Sequence, residues 1–466
     1  MIRLRTSARA TAALFIVTVV LRPGLVRGAA AADRGRAVVV ISVDGLAAFY
    51  FDDPRAEMPT IRALGEEGAR AARMKACAPT VTWPNHTTLI TGVLAGKHGI
   101  VGNDYFDRTT RKPVIMIGDP NFDKEQIVRV PTLYDLAKAR GLSTAAIRWP
   151  ATRGAKALDW TLPDVFSDEL LHQYTTPALM KECKKAGVWA ESDVVKYGGR
   201  EFRVASDDMC TRVFNFILRN HHPNLALLHL THVDSVEHSK GPRTPEAYAA
   251  IKAADEQVRQ VWEEAKRDYP NGLTVMIVSD HGFSPVERLV LPNVPLRDAG
   301  LVEVKAGKAA GGAVHVLGQG GAAFIYVLDQ SKRDAIIKRV EQIFSNTEGV
   351  ATVVAPDELK LHGLAQPQVD PNSPDLVLFA REGYCFDEGA TGSVPTVPRR
   401  ELRGMHGHDE NLPCMAATFV AWGAGIKPRT QLGEIQNTDV APTIARLLTL
   451  PLTRADGKVL SAALTE

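Results

Sequence analysis

Ala37-Val-Val-Val-Ile-Ser-Val43, running directly into Asp44-Gly45, is an almost unbroken β-branched segment without polar alternation. Such a run suits a strand covered on both faces, as in a parallel sheet between helical layers, and an acid followed by glycine suits the turn that ends it. The pattern recurs outward from there. Leu225-Ala-Leu-Leu-His-Leu230 ends at Thr231-His-Val-Asp234, and Leu273-Thr-Val-Met-Ile-Val-Ser279 ends at Asp280-His281-Gly282. Shorter strands are expected at 143–147, 322–328, 375–379 and 418–422, and helices at 59–68, 84–93, 132–140, 245–268 and 334–344. This alternation predicts an α/β fold: a central, mostly parallel sheet flanked by helices.

Two stretches break the pattern. Residues 152 to about 207 are polar with poor periodicity, which predicts cover over the sheet rather than core. Residues 292–321 are rich in Gly and Ala and read as irregular. Without internal repeats or a low-complexity linker, one catalytic-sized domain, 33–466, is expected, with insertions near 104–222 and 292–400.

The first 32 residues have a different character. Arg3, Arg5 and Arg9 precede an apolar run from Thr11 to Leu21, followed by Gly28-Ala-Ala-Ala-Ala32. That is the three-part pattern of a secretory signal peptide, so a periplasmic or secreted protein is expected. The apolar run is short for a bilayer span and nothing else is longer, so no stable membrane span is expected. Removing the segment takes five arginines and no acid from a chain of 55 basic and 53 acidic residues, leaving 50 against 53. So balanced a chain has no general attraction for polyanions, which argues against duplex nucleic acid as partner. Five scattered cysteines make no disulfide framework; Cys183 with Cys210 and Cys385 with Cys414 are conceivable pairs, and Cys77 reads as a small buried thiol.

The chemistry centres on Cys77-Ala-Pro-Thr-Val-Thr82-Trp-Pro-Asn-His86. A helix opening at Pro84 puts the Thr82 hydroxyl at or beside a helix N-terminus, where unpaired N–H groups and the helix dipole favour an anion. The plain reading of Thr82 is an N-cap. The competing one is a nucleophile, and the acids and histidines elsewhere favour it. Asp44, Asp234 and Asp280 all end apolar runs, where ligands sit in doubly wound sheets. Asp234 and His238 are four apart, Asp280 and His281 adjacent, and His406 lies in Gly404-Met-His-Gly-His408. Carboxylates mixed with imidazoles suit zinc or a similar divalent ion.

Val43-Asp44-Gly45, Pro79-Thr-Val-Thr82-Trp-Pro-Asn-His86 with Thr91-Gly92, and Asn103 after His98-Gly99-Ile-Val occur in that order. They are followed by Asp234-x-x-x-His238 with Gly241-Pro242, by Ser279-Asp280-His281-Gly282 and by Gly404-x-His406-Gly407. Together they resemble the nucleotide pyrophosphatase/phosphodiesterase branch of the alkaline phosphatase superfamily from about residue 37 to 450. Asn437-Thr-Asp439-Val-Ala-Pro-Thr443 resembles its final helix, and Trp149-Pro150 a further short segment.

The resemblance implies an alkaline-phosphatase-like sheet and two Zn2+ ions. Asp234, His238 and His406 would hold one ion; Asp44, Thr82, Asp280 and His281 the other. Thr82 would form a covalent phospho-threonine, and Asn103 with the Thr82 N–H would contact a phosphate oxygen. The implied partner is a small-molecule phosphate ester, nucleotides included. Two departures matter: His408 stands where the branch usually carries an aromatic residue and competes with His406, and nothing transfers onto the leaving-group pocket after Tyr105. Arg148 and Arg153, flanking Trp149-Pro150, would favour monoesters if they bound a dianionic phosphate. The alternatives are therefore a phosphomonoesterase, a phosphonoacetate hydrolase with the same site, or a non-catalytic zinc-binding extracellular protein.

Overall fold

In a computed structural model the strand Ala37–Val43 is buried at all seven positions, and its alternate residues serve two different layers. Ala37, Val39, Ile41 and Val43 join a core cluster with Ile61 and Leu64, with Val213, Phe214 and Ile217, and with Ile251, Val258 and Val261. These come from the helices Pro59–Glu67, Arg203–His221 and Pro245–Asp268. Val38, Val40 and Ser42 are equally buried, and the Ser42 hydroxyl bonds to His86 on the helix Thr82–Thr91 of the opposite layer. Each such aliphatic side chain removed from water contributes roughly 1.5–3 kcal/mol, which is why the run has no polar alternation. The structure describes residues 35–190, 192 and 203–465. The expected signal peptide, 1–32, lies outside the described residues.

The eight-stranded central sheet runs in the order Thr430–Gln436, Ala69–Lys75, Phe419–Gly423, Leu273–Val278, Ala37–Val43, Leu225–Leu230, Thr144–Ile147, Trp160–Leu162. Only Phe419–Gly423 runs against the rest, pairing antiparallel with both neighbours. Three adjacent parallel strands, ending at Val43, Leu230 and Val278, thus deliver Asp44, Asp234 and Asp280 from one edge.

Residues 314–380 build a second, antiparallel sheet, in the order Val314–Gln319, Ala322–Val327, Leu376–Ala380, Val350–Val354, backed by the helix Arg333–Phe344. A three-stranded sheet joins Gly383–Phe386, Ser284–Val290 and Thr396–Met405, and the last of these leads into His406.

Several sequence expectations need correcting. The stretch 152–207 is not simply cover: Trp160–Leu162 extends the central sheet, and Leu162, Val165, Leu171, Leu179 and Cys183 enter the main core. The helix Arg203–His221 buries Met209, Cys210, Val213, Phe214, Ile217 and Leu218. Its polar residues obscured it, and part of the reason is structural, since Ser206 and Asp207 are themselves buried and bonded. Residues 292–321 form a helix, Asn293–Asp298, a hairpin of Val302–Lys305 with Lys308–Gly312, and Val314–Gln319. The exposed hairpin strand carries Gly and Ala, which leave no alternation to read. The helix expected from 84 to 93 begins two residues earlier, at Thr82, with Val81 in the cap position. Pro84 is tolerated there because first-turn N–H groups have no helical acceptor. All five cysteines are free, so neither conceivable disulfide is present; burial pushes the Cys77 thiol up to about 12.

Among the described residues no helix is long and apolar enough to cross a membrane.

Candidate active site

Asp44 and Asp280 reach the site from neighbouring strands, and the turn after Asp44 fixes their relation. Gly45 adopts φ 75°, and its N–H donates to Asp280 Oδ1 at 3.2 Å. A Cβ at Gly45 would lie 2.8 Å from the Phe283 ring, so glycine is required both for the turn and for the space. His281 Nε2 sits 3.4 Å from Asp44 Oδ1 and 3.1 Å from Asp280 Oδ2. Asp44, Asp280 and His281 form one group able to hold an ion.

Asp234 and His238 are on the helix His232–Lys240, one turn apart, with His238 Nε2 3.2 Å from Asp234 Oδ1. The start of this helix is tied down by Asp207, whose carboxylate accepts the N–H groups of Thr231 and His232, each at 2.9 Å. His406 Nε2 approaches Asp234 Oδ1 at 3.5 Å and His238 Nε2 at 3.1 Å. Asp234, His281 and His406 form a second group, so His281 is common to both, and its ring stacks on His406 with centroids 3.7 Å apart.

The two loops carrying Thr82 and His406 are bonded to each other through Thr80. The His406 Nδ1–H donates to the Thr80 carbonyl at 2.9 Å, the Gly407 N–H to the Thr80 hydroxyl at 3.0 Å, and that hydroxyl donates to the His408 carbonyl at 2.9 Å. With Nδ1 spent on a carbonyl, His406 presents its Nε2 lone pair to Asp234 and His238, the tautomer an ion-binding imidazole needs. His408 points elsewhere: its Nε2 meets the Tyr384 carbonyl at 2.8 Å. Gly407, at φ 92°, leaves only 1.9 Å between a Cβ position and the Gln319 carbonyl oxygen. The Gln319-Gly320-Gly321 turn of the second sheet therefore presses directly on this loop.

Thr82 is the first residue of its helix and is 7% exposed. Its carbonyl is 2.9 Å from His86 Nδ1, and the same ring nitrogen is 3.5 Å from Asp280 Oδ2. Asn103 Oδ1 accepts the Trp83 N–H at 3.0 Å, which seats its carboxamide at the helix N-terminus. The Asn103 N–H in turn donates to the Gln319 side chain at 3.0 Å.

The site is electrostatically extreme. Burial and then the nearby Asp44 drive the Asp280 carboxyl well above its usual range; burial and then His238 drive His281 well below its own. Burial, His281 and His238 do the same to His406. Asp280 Oδ2 and His281 Nε2, 3.1 Å apart, are buried and neither makes a well-aligned hydrogen bond, an expensive state for polar atoms unless something else satisfies them. A divalent cation coordinated by these oxygens and nitrogens would do so, and the donor set fits zinc.

The sequence-derived residues Asp44, Asp234, His238, Asp280, His281 and His406 thus come together; Thr82 and Asn103 sit at the start of the helix whose His86 faces Asp280, while His408, Arg148 and Arg153 do not join the group. The Arg148 side chain is fully buried against Ser206, Asp207 and Asp164, and Arg153 bonds Asp123, the Asp119 carbonyl and the Tyr174 hydroxyl. Three contributors went unread: His86, His229, whose Nε2 is 2.9 Å from Asp44 Oδ2, and Asp207. The signal for His229 was present, as a lone imidazole in an otherwise aliphatic buried strand.

The chain matches the family model of type I phosphodiesterase / nucleotide pyrophosphatase over residues 38–409. An uncharacterised pyrophosphatase/phosphodiesterase of Schizosaccharomyces pombe is 24% identical, over 89% of this chain and 77% of its own length. A venom phosphodiesterase of Naja atra is 21% identical, over 89% of this chain and 44% of its own. Human ectonucleotide pyrophosphatase/phosphodiesterase family member 1 is 22% identical, over 88% and 40%. The chain therefore spans less than half the length of the latter two. Among solved structures, an inactive threonine-to-alanine variant of murine ectonucleotide pyrophosphatase/phosphodiesterase 5 in complex with AMP superposes with TM-score 0.69 at 20% identity, over 92% of this chain and all of that one. The fold is accordingly of the alkaline-phosphatase type, and with four-fifths of its length matched by one family model, the chain belongs to the type I phosphodiesterase / nucleotide pyrophosphatase family.

Proposed function

We propose that this protein is an exported two-zinc phosphodiesterase/nucleotide pyrophosphatase that cleaves phosphate diester or pyrophosphate bonds through a covalent phospho-threonine. In this reading residues 1–32 direct export and 33–466 form the catalytic domain with its insertions. The observation that carries it is the pair of ion-binding groups that share His281, one of which holds Asp280, 3.5 Å from His86 on the helix that begins at Thr82. Asp234, His238 and His406 would hold one zinc and Asp44, Thr82, Asp280 and His281 the other. Bound zinc lowers the pKa of a coordinated hydroxyl and neutralises phosphate charge.

The chain's own groups do the rest. Thr82, fixed by its place at the helix start, aims Oγ1 at phosphorus; its bond to phosphorus forms as the bond to the leaving oxygen breaks, and its proton leaves with that oxygen. Water then adds to phosphorus and expels Oγ1, which regains a proton. Asn103, its Oδ1 taken by the Trp83 N–H, has its Nδ2 donors to offer a non-bridging phosphate oxygen. Nucleotides are the preferred substrate class, in keeping with relatives named as nucleotide pyrophosphatases. The engagement of Arg148 and Arg153 by carboxylates removes the feature that favoured monoesters.

The test is turnover by the zinc-loaded protein of a nitrophenyl phosphodiester, a nitrophenyl phosphomonoester and phosphonoacetate, each with a chelator control. Diester preference abolished by chelation is expected; preference for either other substrate would redirect the assignment, and absence of metal-dependent turnover would leave a zinc-binding protein.

A further inference from the structure

His229 is the fifth residue of the strand Leu225–Leu230, and a histidine there needs a reason, because the strand is otherwise aliphatic and wholly buried. An imidazole taken from water is costly to leave without hydrogen bonds, so its partners identify its role. Both ring nitrogens face oxygens. Nε2 is 2.9 Å from Asp44 Oδ2, and Nδ1 is 3.0 Å from the Arg148 carbonyl. Both facing oxygens are acceptors and a neutral imidazole carries one N–H, so the brace on Asp44 is the tautomer with the proton on Nε2, which donates to Oδ2 while Nδ1 lies against the Arg148 carbonyl.

The surroundings reinforce the pinning. In the parallel register Ser42 pairs with His229 and Val43 with Leu230, so His229 lies beside the strand end that delivers Asp44. Its ring packs on His86, centroids 4.2 Å apart, and His86 is bonded to Ser42. Arg148 adopts φ 57°, a left-handed conformation that is strained for a non-glycine residue. Its side chain is locked into Ser206 and Asp207 while its carbonyl meets His229. The Arg148-Trp149 segment thus has a use other than phosphate binding: it is the fixed end of a brace that runs through His229 to Asp44.

We propose that His229 is a positioning residue that fixes the Asp44 carboxylate by its Oδ2, so that Oδ1 faces His281 and the ion shared with Asp280. The inference rests on the metal reading given above. Groups that orient a ligand from behind commonly contribute 10–100-fold in metal affinity. The experiment is competition for zinc between a chromogenic chelator and the full-length wild type, His229→Leu, His229→Asn and His229→Gln proteins. Thermal unfolding of each metal-free protein runs alongside.

Leu and Asn, neither able to brace Oδ2, should weaken one of the two zinc-binding steps by about 10–100-fold and leave the other unchanged. Gln, whose longer amide can donate to Oδ2, should recover much of the loss. At saturating zinc the kcat of the variants should return toward wild type, which a group acting on substrate would not allow. Wild-type zinc affinity in a folded Leu variant overturns the proposal, and if Leu does not fold, wild-type affinity in Asn does so. A wild-type protein that binds no zinc overturns the metal reading itself, a separate result.

Discussion

The Nε2 atoms of His238 and His406 face one another across 3.1 Å, while His408, two residues further on, turns its Nε2 to the Tyr384 carbonyl at 2.8 Å. The two histidines of Gly404-Met-His-Gly-His408 therefore separate by role. His406→Ala should lower the bound metal content. His408→Ala should leave it intact but cost roughly 1–3 kcal/mol, because it strands the part-buried Tyr384 carbonyl and opens space against Gly321. Metal analysis paired with denaturant unfolding distinguishes them, and metal loss on replacing His408 would reverse the assignment.

Thr82→Ala should reduce turnover to background while unfolding midpoint and metal content stay near wild type, because Asp44, Asp280 and His281 form an ion-binding group without it. The stability expectation follows from Val81, not Thr82, occupying the cap position, with no side-chain cap bond to lose. Loss of one buried methyl group is expected to cost about 1 kcal/mol. Undiminished turnover would remove Thr82 from the chemistry.

The motif-bearing part of the site was legible because its residues follow strand ends: Asp44, Asp234 and Asp280 close the three buried runs, and the sheet order sets those runs side by side. Local spacing also held for Asp234 and His238, one helical turn apart. What could not be read was what crosses between distant segments. Thr80 joins the Thr82 loop to the His406 loop through bonds that a threonine at any turn can make, one of them to Gly407, 327 residues away in sequence. Gln319 steadies Asn103 from a stretch whose glycines and alanines carry no periodicity. Asp207 was hidden for the opposite reason: an acid on a helix looks like a solvated face, whereas this one is buried and holds the start of the helix bearing Asp234 and His238.

Arg148 and Arg153 supply a test of substrate class. Arg148→Met should destabilise by roughly 3–5 kcal/mol, because it removes the cation facing the buried Asp207 and Asp164. Arg153→Gln, on a partly exposed pair with Asp123, should cost at most about 1 kcal/mol. Neither should raise KM for a phosphate ester at temperatures where the variant is folded. A selective rise in KM for a monoester would restore these arginines as phosphate ligands.

His362 and Glu410 tie the second sheet's surroundings to the loop that follows His406, and their link is sensitive to pH. His362 Nδ1 lies 3.1 Å from Glu410 Oε2, with Asp409 close by and Lys75 3.8 Å from Glu410 Oε1. The hydrogen bond to Glu410, against the opposing effect of burial, raises the His362 pKa above its ordinary value. A histidine whose folded pKa exceeds its unfolded value of about 6.5 contributes stability that is fully present below the unfolded pKa and lost as pH rises through the folded one. His362→Gln should therefore destabilise by about 1.5 kcal/mol near pH 5.5 and by much less near pH 8.5. Urea unfolding of both proteins at the two pH values reads this directly. A penalty of equal size at both would mean that His362 acts through packing on Phe379 rather than through its charge.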